Sequence, residues 1–144
     1  MFTQNYANHR RTDPMFHYVL FGLIVLTMGG ATVNLVRSLS AHSRVLSAAL
    51  IVILTFMVAL VSGLGRMYAL KAQDRAIRAE ENLRHFALTG KLLDPRIGIR
   101  QVIALRFAPD EELVALARRA AEEGLAPDAI KRAVKNWRAD EYRV

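Results

Sequence analysis

Two apolar runs of membrane-spanning length, separated by a short polar segment, constrain this chain more than any other feature. The first extends from Met15 to Val36 and the second from Val45 to Gly65, and neither contains Asp, Glu, Lys or Arg. At 1.5 Å per residue, such helices reach about 33 Å and about 31 Å, enough for a hydrocarbon layer of about 30 Å. A lone strand would leave backbone groups unpaired in lipid. The sequence therefore predicts a transmembrane hairpin of two helices, over 15–36 and 45–65.

The distribution of basic residues predicts how this hairpin is oriented. Only Arg37 and Arg44 occur in the connecting segment. The segments outside the two runs carry Arg10, Arg11, Arg66, Lys71, Arg75, Arg78 and Arg84. Because cytoplasmic segments are enriched in Lys and Arg, we expect both termini in the cytoplasm and the loop outside. The alternative, a cleaved secretory signal, fits less well because the first run exceeds the usual 7–15-residue apolar core.

Small residues form one face on each predicted span. They are Gly22, Gly29 and Gly30 on the first span, and Ser47, Thr55, Ala59 and Ser62 on the second. Small side chains allow helix backbones to approach closely in a membrane. We expect membrane-packing contacts at these residues, either between the two spans or with another membrane protein.

The second span is predicted to continue as a stalk over residues 66–90. Neither proline nor glycine interrupts the chain from Arg66 to Leu88, and strong helix formers dominate. Glu80 and Arg84 are four residues apart with the acid first, the favourable order for an exposed helical pair. We expect one helix from about Val45 to Thr89, with a charge-rich, solvated second half.

Residues 91–144 are predicted to form a small helical cap. The segment 97–107 fits a helical face and also an alternating strand, but no second strand is evident to pair with it, which favours a helix. Ala108-Pro109-Asp110 and Ala126-Pro127-Asp128 each place proline and an acid where helices begin. We expect the last helix to extend from Pro127 to Arg138. The whole chain is then an all-α membrane protein, with 1–14 as a cytoplasmic tail, 15–65 as the hairpin, 66–90 as the stalk and 91–144 as the cap.

No pattern in the sequence points to catalysis, and we expect no enzyme activity, cofactor or metal. The chain contains no cysteine, which excludes disulfides and thiolate metal sites. His17 is the best candidate haem or quinone ligand, although near the interface a polar ring also meets lipid headgroups. Glu81 and His85 are one turn apart, but two ligands fall short of a metal site.

Basic side chains mark the predicted last helix. At 100° per residue they share one face, opposite the apolar positions. They are Lys131, Arg132, Lys135 and Arg138. Anionic lipid headgroups, an acidic protein surface or nucleic acid are candidate partners for such a face. Nucleic acid is the weakest of these because the segment from Arg66 onward carries 12 acidic against 16 basic residues, a mixed balance.

Three segments of the chain resemble a family of small bacterial membrane proteins catalogued as a domain of unknown function. The segments are 71–85 (KAQDRAIRAEENLRH), 100–108 (RQVIALRFA) and 133–138 (AVKNWR), and the resemblance extends to Gln4-Asn5-Tyr6 and His9. It implies a bacterial protein with two spans. It implies no activity, substrate or cofactor. With the predicted orientation, we expect the protein in the cytoplasmic (inner) membrane.

These features together predict a non-catalytic integral membrane protein that acts by interaction. We expect a small accessory subunit or scaffold of a larger membrane assembly, in contact with the lipid bilayer and with other membrane subunits or copies of itself. Two alternatives remain. One is a membrane-tethered regulator whose basic cap contacts nucleic acid, and the other is a subunit of an oligomeric channel or transporter, which the lack of charged residues in the spans disfavours.

Overall fold

The computed structural model describes residues 4–8 and 12–140, and in this part of the chain all regular secondary structure is helical. After a π-helical turn at Met15–Leu20, the helices are α1 (Phe21–Ser40), α2 (Val45–Thr89), α3 (Ile99–Leu105), α4 (Asp110–Glu123) and α5 (Pro127–Ala133). The all-helical class is confirmed. Arg10 and Arg11, which enter the orientation argument, and His9 lie outside the described residues.

Contacts divide the chain into two compact units. Residues 12–69 form the first, and residues 70–140 together with 4–8 belong to the second. Helix α2 contributes residues to both. Its bounds agree with the predicted continuous helix from Val45 to Thr89.

The first unit is a helical hairpin with a tight reversal. Helix α1 continues to Ser40, so the connection is four residues shorter than the predicted segment 37–44. His42 and Arg44 adopt positive φ angles of 50° and 56°, and the Ser43 amide donates to the Ser38 carbonyl over 3.1 Å. At the other end, the Arg66 guanidinium lies 5.2 Å from the centre of the Phe16 ring. These contacts hold the two helices antiparallel.

Small residues form the buried seam of this hairpin. Ala31, Ala48 and Thr55 are buried, and the Thr55 hydroxyl donates to the Ile51 carbonyl over 2.8 Å. Partly buried side chains continue the seam at three- and four-residue intervals. On the first arm of the hairpin, residues 15–40, they are Leu20, Ile24, Met28 and Leu35. On α2 they are Val52, Ala59 and Ser62. The seam therefore follows the helical period expected for two packed helices.

Most of the apolar surface of the hairpin remains exposed. The helices Met15–Ser40 and Val45–Thr89 are long and apolar enough to cross a membrane. Only 6 % and 11 % of their most apolar 18-residue windows are buried within the chain. A core helix of a soluble domain is buried on at least one broad face, which these windows are not.

The second unit has its own core beneath three short helices. The largest fully buried side chains are Phe107, Ile97, Leu105, Leu113, Ile130 and Val102. The ambiguous segment 97–107 forms helix α3 at Ile99–Leu105, as favoured over the strand. Both Pro-Asp sequences begin helices, and Gly124 ends α4 with a φ of 62°, a left-handed conformation that glycine adopts readily.

The second half of α2 packs against this core. Ile77 and Glu81 are buried at 7 % and 4 % exposure, and Ile77 belongs to the same apolar cluster as Leu105 and Ile130. Residues 70–89 are thus not solvated on all sides as a stalk would be. The charge-rich composition suggested a fully solvated helix. One of the charged residues, Glu81, is nevertheless buried, because Arg84 and Arg138 pair with its carboxylate.

The predicted extent of the last helix is wrong. Helix α5 ends at Ala133, and Val134 is extended at φ −68° and ψ 120°. The amides of Lys135 and Asn136 donate to the Glu112 carboxylate over 2.9 Å and 3.0 Å, and the Arg138 amide donates to the Phe107 carbonyl over 2.8 Å. These partners replace the hydrogen bonds that further helical turns would supply.

Candidate functional site

The predicted packing residues of the hairpin divide into two groups. Thr55 is buried and Ala59 and Ser62 are partly buried along the seam, whereas Ser47 is exposed. The three glycines on α1 lie differently. Gly22 is partly buried, and Gly29 and Gly30 are exposed. A Cβ atom added at any of the three would meet no heavy atom within 4 Å. Among the described residues, no neighbouring helix approaches these glycines closely, and their face is open to a further contact.

The four predicted basic contact residues do not share one helix face, because Lys135 and Arg138 follow the end of α5. The Arg132 guanidinium pairs with the Asp128 carboxylate over 2.9 Å and contacts the Tyr6 hydroxyl over 3.1 Å. The Lys131 ammonium lies 6.0 Å from the centre of the Phe107 ring.

Arg138 and Lys135 extend from the segment that follows α5. The Arg138 guanidinium lies 3.5 Å from the Glu81 carboxylate, and the Lys135 side chain is exposed. Arg132 and Arg138 are therefore both engaged by other residues of the second unit.

The most buried charged group of the described residues is the Glu81 carboxylate, and two arginines neutralise it. Arg84, on the next turn of α2, donates to Glu81 over 3.0 Å. The same guanidinium donates to the Asp110 carboxylate over 2.6 Å and to the Ala108 carbonyl over 2.8 Å. Arg84 thus joins α2 to the start of α4 with charge-assisted hydrogen bonds, which are stronger than neutral ones.

No local pattern in the sequence indicates this cluster. The helical spacing predicted a pair between Glu80 and Arg84, whereas Arg84 pairs with Glu81 and Asp110. Asp110 lies 26 residues further along the chain, so no local spacing could indicate it. The one signal in the sequence is that Glu81 lies one helical turn after the apolar Ile77 and therefore on the same face of α2, which the structure buries.

A cleft of about 410 Å³ opens beside this cluster. It is lined by Arg84, Pro109, Asp110, Glu111 and Arg138. Arg84 and Arg138 are already paired with carboxylates, so the cleft offers few unpaired charges to a ligand. Among the described residues, its lining supplies the carboxylates of Asp110 and Glu111 but no hydroxyl, thiol or imidazole.

The candidate metal and cofactor residues have protein partners in the structure. The Glu81 carboxylate is engaged by the two arginines, and His85 Nδ1 lies 2.7 Å from the Lys91 carbonyl oxygen. His17 Nδ1 lies 2.9 Å from the Asp13 carbonyl oxygen. Among residues 4–8 and 12–140, no group of three His, Cys, Asp or Glu side chains is placed to hold a metal ion.

The Glu112 carboxylate accepts hydrogen bonds from the segment that follows α5. Desolvation acts to raise the pKa of its carboxyl, but hydrogen bonds from the Lys135 amide and from the Asn136 amide and side chain outweigh it. The pKa of Glu112 is therefore lowered. This carboxylate anchors the segment that follows α5.

These observations define the chain as an all-helical protein with two helices long and apolar enough to cross a membrane, and with a second helical unit that has its own core. The chain belongs to a family of unknown function, DUF6526, whose model matches residues 1–144. No curated protein and no solved structure matches the chain.

Proposed function

We propose that this chain is a non-catalytic integral membrane protein that acts by interaction, as a small accessory subunit or scaffold of a larger membrane assembly. The observation that carries the proposal is the exposed apolar surface of the hairpin. Leu26, Leu46 and Val61 are 73 %, 74 % and 66 % exposed, far from the burial of a soluble core. In a bilayer, lipid tails and neighbouring spans cover such side chains.

The proposed location is the cytoplasmic (inner) membrane of a bacterium, with both termini in the cytoplasm. Seven basic residues flank the spans on the side of the termini, against two between them. The charged surface of the second unit is consistent with a location in water. Only Arg37 and Arg44 would then need to be translocated with the loop.

The interaction surface in the membrane is proposed to include the exposed glycines of α1. Gly29 and Gly30 are adjacent to the buried Ala31 but do not themselves enter the seam. An added Cβ at either glycine would meet no described heavy atom within 4 Å, and such an open glycine surface permits a neighbouring helix to approach closely. The partner in this proposal is a span of another membrane protein subunit.

The test combines membrane extraction with purification in mild detergent. The wild-type protein should stay in the membrane pellet at alkaline pH and should co-purify with a defined set of membrane proteins. Replacing Gly29 and Gly30 by Leu should remove those partners without releasing the chain from the membrane. Replacing Thr27 and Thr32 by Leu is the matched control, because both residues are exposed on α1 outside the face shared by Gly22, Gly29 and Gly30, and it should preserve the partners.

Two results would contradict the proposal. Release of the wild-type chain into the alkaline supernatant would show that it is not an integral membrane protein. If the wild-type chain and the glycine variant both purify from the membrane without a stoichiometric partner, the accessory role is contradicted.

A further inference from the structure

A second apolar face of α2 points away from the core of its unit. Its members recur at alternating intervals of four and three residues, and all are exposed. This apolar stripe consists of Ala72, Ala76, Ala79, Leu83 and Phe86. Leu83 and Phe86 are 68 % and 50 % exposed.

The apolar stripe is distinct from the face that builds the cap. At 100° per residue, Leu83 lies about 120° around the helix from the buried Ile77, and Ala79 lies about 160° from it. The core uses Ile77 and Glu81 from the opposite side of α2. The fold of this unit therefore does not need the stripe, and the repeat of 3.5 residues is that of a two-stranded coiled coil.

Charged residues flank the stripe on both sides in a complementary order. If Ala76 and Leu83 occupy the a positions of heptads, Arg75 is at g and Glu80 is at the next e. Both side chains are exposed, and neither forms an ion pair with another described residue. In a parallel two-stranded coiled coil, the g residue of one helix faces the following e residue of the other. Arg75 of each copy would then face Glu80 of the other copy.

An antiparallel arrangement does not give this match. In that order, g positions face g positions and e positions face e positions. Arg75 and Asn82 occupy the g positions here, and Gln73 and Glu80 occupy the e positions. No opposite charges would meet, so charge complementarity selects a parallel second copy.

We propose that the apolar stripe docks against the same stripe of a second copy of this chain, as a parallel dimer about a two-fold axis. The inference rests on the proposed function in one respect, since insertion in a single orientation keeps two copies parallel and raises their effective concentration. The alanines allow the helices to approach closely. Leu83 and Phe86 supply the large apolar contacts at the end of the stripe.

The absence of native cysteine permits a clean cross-linking test of the full chain in membranes. Ala72→Cys and Ala79→Cys place single thiols on the stripe. Ala115→Cys, on an exposed position of α4, is the matched control. With a mild oxidant, we expect disulfide-linked dimers for both stripe variants, several-fold more than for the control. In a parallel dimer, each stripe residue lies beside the same residue of the other copy, so a disulfide can form at both positions. In an antiparallel dimer, equivalent residues meet at one position at most.

The outcomes separate this inference from the proposed function. A protein that resists alkaline extraction but forms no dimer at either stripe position, or that dimerises equally through Ala115→Cys, would overturn the parallel dimer and leave membrane insertion intact. Dimers at only one of the two stripe positions would overturn the parallel order. Release from the membrane by alkali would instead contradict the proposed function.

The charge register is tested in the Ala79→Cys background. Arg75→Glu places like charges opposite one another and should lower the dimer yield several-fold. Adding Glu80→Arg restores opposite charges and should restore the yield. Arg100→Glu, an exposed change on α3, is the control and should leave the yield unchanged. No loss with Arg75→Glu, or no recovery in the double variant, would overturn the proposed register.

Discussion

At the scale of single residues, Glu81 shows how a charge can be part of a core. Its carboxylate lies on the buried face of α2 between the Arg84 and Arg138 guanidinium groups. A buried charge is tolerated when it is paired and hydrogen-bonded, and removing one member leaves the remaining partner incompletely satisfied. The same helix carries Glu80 on its exposed side, which provides a direct comparison.

We predict that Glu81→Ala lowers the free energy of unfolding of the second unit by about 3 kcal/mol, the lower end of the range for a broken buried pair, because Arg84 keeps Asp110. Glu80→Ala should change it by less than about 0.5 kcal/mol. The fluorescence of Trp137, the single tryptophan, reports the transition because its ring lies 4.7 Å from Phe107. Urea titration of the full chain in detergent measures both variants. Equal losses would show that Glu81 is not structurally special.

Glu112 predicts a dependence of stability on acid. Its pKa is lowered in the folded chain, so the folded state binds fewer protons than the unfolded state. The resulting stability is present above the ordinary glutamate value of about 4.3 and is lost as the pH falls through the lowered pKa.

We predict that Glu112→Gln is less stable than the wild type at pH 7 and that the difference shrinks as the pH falls below about 4. Urea midpoints followed by Trp137 fluorescence at a series of pH values measure the difference. Glu111→Gln, at an exposed neighbouring carboxylate, is the control and should follow the wild type. A difference from wild type that is independent of pH would contradict this account of Glu112.

At the scale of elements, local rules located most helices and misplaced one end. The uninterrupted run of helix formers gave the bounds of α2, and the Pro-Asp sequences gave the starts of α4 and α5. The end of α5 could not be read locally because the Glu112 carboxylate, 23 residues away, takes the next amide. The chain leaves the helix where a tertiary acceptor is available.

The N-terminus of α5 yields a prediction of the opposite sign. Ala126 is the N-cap at φ −63° and ψ 148°, where a serine hydroxyl could accept a hydrogen bond from the first turn. Ala126→Ser should stabilise the second unit by about 1 kcal/mol. Ala115→Ser, within α4, should destabilise it by a few tenths of a kcal/mol. The same urea titration measures both. Destabilisation by Ala126→Ser would show that this cap geometry is not satisfied by a hydroxyl.

At the scale of the whole molecule, the sequence indicated two spans and a cap but not how α2 divides its faces. The apolar runs and the helical class follow from composition and period alone. Packing of Ile77 against the cap could not be predicted, because it depends on Leu105 and Ile130, which come together only in the folded chain. Likewise, the four basic residues at 131, 132, 135 and 138 were predicted to share one helix face. They do not, because α5 ends at Ala133.

We propose that the hairpin crosses a membrane with both ends on the cytoplasmic side. Single thiols test it directly because the chain has no native cysteine. Ala41→Cys lies in the turn between α1 and α2, and Ala129→Cys is exposed on α5. In intact cells, a membrane-impermeant maleimide should label Ala41→Cys and should label Ala129→Cys only after the cells are lysed. Labelling of Ala129→Cys in intact cells, with Ala41→Cys protected until lysis, would overturn the proposed orientation.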